Sequence, residues 1–74
     1  MSILPVMTAR VIMQKLARGG FEYLYTKGSH YYFRHPITRY LTSVPFHGSK
    51  NIGRGLIATI IKQAGLTVKQ FIDL

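Results

Sequence analysis

The chain has 74 residues, no cysteine, and ten lysines and arginines against two acidic residues, for a formal net charge of +8. That length supports one domain over residues 1–74 with one small core, burying roughly 60–65% of its unfolded surface, so any site should be a shallow surface one. The composition excludes a disulfide framework and a thiolate metal site, and no apolar run approaches the ~20 residues a bilayer needs. Residues 1–7 lack the basic start and apolar run of a signal peptide. The expectation is a soluble cytoplasmic protein with no membrane partner. A folded domain this basic meets a polyanion or an acidic protein. Nucleic acid is favoured over an anionic membrane surface, because no helix sets a wide basic face opposite a strong apolar one.

Residues 1–7 read as a lead-in, with Pro5 at the boundary and Thr8 as helix N-cap. The spacing of Ala9, Ile12, Met13 and Leu16 predicts a helix over residues 9–18, with Gln14, Lys15 and Arg18 facing out. Gly19-Gly20 stops it. Residues 21–26 alternate Phe21, Tyr23 and Tyr25 against Glu22, Leu24 and Thr26, a strand pattern. Lys27-Gly28 makes a tight turn into a second strand over residues 29–34. Residues 35–39 form a hairpin loop, and residues 40–44 a third strand closed by Pro45. Residues 46–51 read as loop, and Gly53-Arg54-Gly55 opens a helix over residues 56–63 with an apolar stripe of Leu56, Ile57, Ile60 and Ile61. Ala64-Gly65 ends it. Thr67 and Gln70 fit the capping box of a short last helix, whose Phe71 and Ile72 pack back on the core.

Helix, three strands, helix and a short helical tail give an α+β fold: a three-stranded antiparallel sheet with both helices on one face. The other face stays open. If Phe33 lies on the covered face, alternation places His30, Tyr32 and Arg34 on the open one, with Tyr31 and His35 opposite. A titratable base, a ring and a fixed cation then share a surface suited to nucleic acid. A solvated strand with an idle histidine would carry the same residues.

Several chemistries fail on count or spacing. Gly53-x-Gly55 lacks both the phosphate-loop and the dinucleotide patterns, so its glycines read as turn residues, although amides at that helix start could touch a phosphate. His30, His35 and His47 have no cysteine and only distant carboxylates to complete a metal site, so no metal and no cofactor are expected. Glu22 and Asp73 alone cannot supply paired-carboxylate chemistry. What remains is imidazole acid–base chemistry aided by cations. A free histidine titrates near ~6.5, and RNA carries its own nucleophile in the 2′-hydroxyl. One placed histidine contributes about 10²–10⁴-fold, and Lys27 or Arg34 could hold the phosphate charge. Tyr32 and Tyr31 could stack bases, which favours single-stranded RNA, though strand aromatics need no such role.

Three blocks stand in order: Lys27-Gly28-Ser29-His30-x-x-Phe33-x-His35-Pro36, then Val44-Pro45-x-His47-Gly48, then Gly55 with Ile60-Ile61-Lys62-Gln63-Ala64-Gly65-Leu66 and Phe71. With the helix ending in Gly20-Phe21 before them, the chain resembles the HicA family of bacterial toxins over nearly its whole length. The resemblance implies a double-stranded-RNA-binding-domain-like fold. It also implies an endoribonuclease that cuts mRNA and is held inactive by a HicB-type antitoxin. The histidine of the Gly-Ser-His block, His30, is then the catalytic general acid or base, with Gly28 and Ser29 as the turn that places it. Lys27, Gly28, Ser29, Tyr32, Arg34, His47, Lys50 and Arg54 form the expected RNA- and phosphate-binding set; His47 matches a family position not taken as catalytic that could equally support its loop, and Lys27, Arg34 and His47 are the candidates for a second acid. The chain departs from the family at Ile37-Thr38-Arg39, where an Asp-Gly type of turn is common, and at Asn51-Ile52-Gly53. Two other readings stay open: a non-catalytic RNA-binding module of the same fold, and a basic subunit that only binds an acidic partner or DNA. Duplex binders of this fold open their second helix with a lysine cluster, which Asn51-Ile52-Gly53-Arg54-Gly55 is not. A +8 toxin facing an acidic inhibitor should bind it fast and lose affinity with salt.

Overall fold

The computed structural model describes residues 4–74; residues 1–3 of the expected lead-in lie outside the described residues. The elements run β1 (Met7–Thr8), α1 (Ala9–Arg18), β2 (Glu22–Lys27), β3 (His30–Arg34), β4 (Leu41–Pro45), β5 (Asn51–Ile52), α2 (Arg54–Gln63) and α3 (Val68–Ile72). Strands β2, β3 and β4 form the antiparallel sheet, while β1 and β5 pair in a second, two-stranded one. The architecture is the expected α+β, double-stranded-RNA-binding-domain-like α-β-β-β-α with a short C-terminal helix.

The apolar spacing in the sequence becomes the core. Ile12 and Leu16 of α1, Ile57, Ile60 and Ile61 of α2, Phe33 and Val44 of the sheet, and Phe71 of α3 are all buried. Thr8 caps α1, its hydroxyl accepting the Val11 N–H at 3.4 Å. Thr67 and Gln70 complete both bonds of the capping box on α3. Thr42 is buried on the helix-covered face and donates to Gln63 Oε1 at 2.9 Å, so its hydroxyl is not left unpaired. The molecule is only 17 Å in its thinnest dimension, close to two layers spaced at ~10 Å, which leaves the second sheet face uncovered.

Five features differ from the sequence reading. The register of β2 slips between Tyr23 and Tyr25, a bulge at Leu24. Alternation therefore breaks: Tyr23 packs against Phe33 and Tyr31 on the helix side, while Tyr25 turns to the open face and meets Tyr32. The third strand is displaced by one residue and includes Pro45, which pairs with His30; on an edge strand the missing N–H costs no ladder bond. Residues 46–51 are not all loop, since Asn51 pairs with Thr8. The second helix starts at Arg54, so Leu56 falls in its first turn and is 44% exposed rather than part of the core stripe. Lys15 does not simply face out either. It reaches over the Phe71 ring and donates to the Ile72 and Leu74 carbonyls at 2.9 and 3.0 Å, tying α1 to the tail.

Candidate functional site

Each residue of the open face follows from one cross-strand row. Glu22, Arg34 and Leu41 form the first; Tyr25, Tyr32 and Ser43 the second; Lys27, His30 and Pro45 the third. Gly28 and Ser29 form the two-residue turn between β2 and β3. Gly28 has φ +61°, the sign that a type II′ hairpin turn requires at its first central position, where a side chain would be strained. The turn thus sets Lys27 directly opposite His30, with both side chains exposed on one face.

Beside His30 the surface sinks into an open depression of about 350 Å³, lined by His30, Pro45, His47, Lys50, Asn51, Ile52, Gly53 and Leu56. Its lining combines the apolar Pro45, Ile52 and Leu56 with two imidazoles and an ammonium, and no carboxylate is among the lining residues. The loop after β4 is held in place by the Phe46 N–H, which donates to the Ser29 carbonyl at 2.8 Å, and by the β1–β5 pairing that follows. The N-terminus of α2 borders the same depression. Gly53 caps it without a side-chain bond and its first turn holds no acid, so its free N–H groups favour an anion.

The expected site residues separate into groups. His30, His47 and Lys50 share the depression, and Lys27, Gly28 and Ser29 lie at its edge as the hairpin end. Arg54 is the first residue of α2, and its Nε donates to the Leu4 carbonyl at 2.7 Å, so part of the guanidinium is already engaged. Tyr32 lies one row away, with its ring 4.8 Å from that of Tyr25. Arg34 lies four residues along β3 from His30, about 13 Å at ~3.3 Å per residue. It sits opposite Glu22 at the far end of the face, away from any phosphate that His30 could reach.

Two candidates belong to the scaffold. Tyr31 is half-buried on the helix side, against Tyr23 and Phe46. The His35 ring packs edge-on against Phe21 at 5.2 Å, and its Nδ1 accepts the Ile37 and Thr38 N–H groups. Those two bonds shape the hairpin loop that departs from the family pattern. Sequence reasoning missed Tyr25 and the lining residues Asn51 and Leu56. The signal for Tyr25 was the Leu24 position, which strict alternation would set as an apolar side chain on an otherwise polar face. Leu56 sat one turn too early in the apolar stripe to be covered.

Residues 9–66 match the family described as HicA toxin of bacterial toxin-antitoxin, most of the chain including every residue lining the depression. No curated protein matches the chain. No helix of the described residues is long and apolar enough to cross a membrane. The chain belongs to the HicA family, the toxins of bacterial toxin–antitoxin systems.

Proposed function

We propose that the chain is an endoribonuclease that cleaves single-stranded mRNA with His30 as general base, in the cytoplasm, and that a HicB-type antitoxin holds it inactive. The observation that carries this is the position of His30: an exposed imidazole at the mouth of a depression, with Lys27 opposite and Lys50 on the same rim. Cleavage by the 2′-hydroxyl needs a proton removed, a proton supplied and the phosphorane charge steadied. The imidazole can take up the first proton, and the flanking ammonium groups can steady the charge. The carboxylates of the chain stand elsewhere: Glu22 faces Arg34 and Asp73 pairs with Lys69. Tyr32 and Tyr25 offer flat apolar rings one row from His30, where bases flanking the scissile phosphate can stack. Such stacking requires unpaired bases, which favours single strands over duplex. Arg34 serves a more distant phosphate on the same strand of RNA, and Arg54 one near the start of α2.

The test is His30→Ala. Because His30 is exposed, the variant should keep its fold and its affinity for RNA while losing cleavage and the growth arrest that expression causes. Unchanged cleavage would remove the proposal. Absence of cleavage by the parent protein, with RNA binding intact, would instead make the chain a binding module.

A further inference from the structure

We propose that His47 is the general acid of the cleavage, protonating the leaving 5′-oxygen while His30 takes the 2′-hydroxyl proton; this rests on the ribonuclease reading above. The chain path carries the assignment. Pro45 is the cross-strand partner of His30, and the Phe46 N–H to Ser29 carbonyl bond prolongs that contact past the end of the ladder. His47 lies two residues beyond Pro45, in the loop anchored by that bond, and lines the same depression as His30. The Lys50 N–H donates to the His47 carbonyl at 3.4 Å, closing the turn that holds the ring on the rim. Both imidazoles then line one depression about 350 Å³ in volume, room for a ribose and its phosphate beside the apolar side chains of Pro45, Ile52 and Leu56.

The chemistry needs two groups of this kind. As the 2′-oxygen attacks phosphorus, its proton passes to the neutral ring of His30 and the new O2′–P bond forms. The P–O5′ bond breaks, and the proton of the His47 imidazolium passes to O5′. The products are a 2′,3′-cyclic phosphate and a free 5′-hydroxyl, and proton exchange with water resets the two rings. An imidazolium is suited to this at neutral pH, whereas an ordinary ammonium holds its proton too tightly. Lys27 opposite His30 and Lys50 beside His47 are the charged groups facing the pair, and they are placed to hold the non-bridging oxygens. His35 cannot join: it follows the opposite end of β3, with its ring packed against Phe21.

The experiment compares His47→Gln and His30→Ala on ordinary RNA and on RNA with a sulfur in place of the bridging 5′-oxygen. A thiolate leaves without being protonated, so only the loss of an acid is rescued. His47→Gln should lose about 10²–10⁴-fold on ordinary RNA and recover close to the parent rate on the sulfur substrate, with the alkaline limb of its pH profile removed. His30→Ala should stay slow on both. Equal loss by His47→Gln on both substrates, or none on ordinary RNA, overturns the assignment. Rescue of His30→Ala by sulfur overturns it too, by reversing the roles. Full activity of His30→Ala on ordinary RNA would overturn its role as the base, whereas absence of cleavage by the parent protein would overturn the ribonuclease reading itself.

Discussion

Replacing Tyr32 by alanine on the His30→Ala background tests the stacking face without cleavage of the probe. The ring sits on the open side of the sheet, 4.8 Å from Tyr25 and tilted 44° to it. Base–aromatic stacking is lost at roughly 1–3 kcal/mol per base, or about 5- to 150-fold in Kd at ~1.4 kcal/mol per tenfold. The fold should survive. A cross-strand pair on an exposed face contributes roughly 0.2–1 kcal/mol, against about 4–11 kcal/mol of stability for a chain of this length. Tyr25→Ala should behave in the same way, because the bulge at Leu24 puts it in the same row. Fluorescence anisotropy of a labelled single-stranded RNA, repeated across salt concentrations, separates stacking from charge. Both tyrosine variants should weaken binding while leaving the slope of log K against log salt unchanged. Lys27→Ala should flatten that slope by about 0.7, the value for one phosphate contact on a single strand. Tyr31→Ala, on the helix side, should lower the melting temperature and leave the affinity of the folded protein alone. Parent-like affinity in both open-face variants, or a loss that merely tracks melting, would refute the stacking argument.

Other outcomes follow from single contacts. Gly65 sits at φ +73° with its α-carbon under the Tyr40 ring, where a Cβ would collide. Gly65→Ala should cost at least the ~1–2 kcal/mol of a left-handed side chain, and calorimetry in a Tyr40→Ala background should recover only the steric part. Phe71→Ala empties a fully buried site and should cost about 3–5 kcal/mol, read as a lower urea midpoint. The Lys69 amine is raised above the ordinary lysine value by the hydrogen bond and the charge of Asp73. A raised folded-state pKa means that any stability it brings is present below the unfolded lysine value and lost as pH rises through the folded one. Asp73→Asn should return the Lys69 titration, followed by NMR, to the ordinary range.

How much was readable in the sequence depended on whether the signal was local. Thr8 and Thr67 caps, the Gly28 turn and the 3.6-residue spacing of Ile12 and Leu16 are all decided by neighbours a few positions apart, and each stands where expected. The faces of β3 were also legible, because one buried aromatic, Phe33, fixes the parity of a five-residue strand. The Leu24 bulge left only a weak mark, one apolar residue on an otherwise polar face, because the edge strand is exposed along its whole length. The meeting of His30 with His47 left none. It depends on the Pro45 pairing and on β1 closing against β5, contacts between residues far apart in the chain. The blocks shared with the family put both histidines in view, but only the fold brings them to one depression.

The distribution of the two acids favours the His30 end of the sheet as the one that meets a polyanion. Asp73 is on the C-terminal helix side, bonded to Lys69 at 2.8 Å. Glu22 pairs in register with Arg34, so the first row of the open face is close to neutral. Two rows on, Lys27 stands beside His30 with no carboxylate opposite, and Lys50 and the uncapped start of α2 add positive potential from the rim. The face therefore carries a gradient of charge that rises from Arg34 toward His30. A polyanion sliding on it is drawn to the histidine end, past the two tyrosine rings, and screening by salt should weaken that guidance before it weakens the stacking. An inhibitor that presents carboxylates to the same end would meet the same field, so one surface suffices both for the toxin's action and for its restraint.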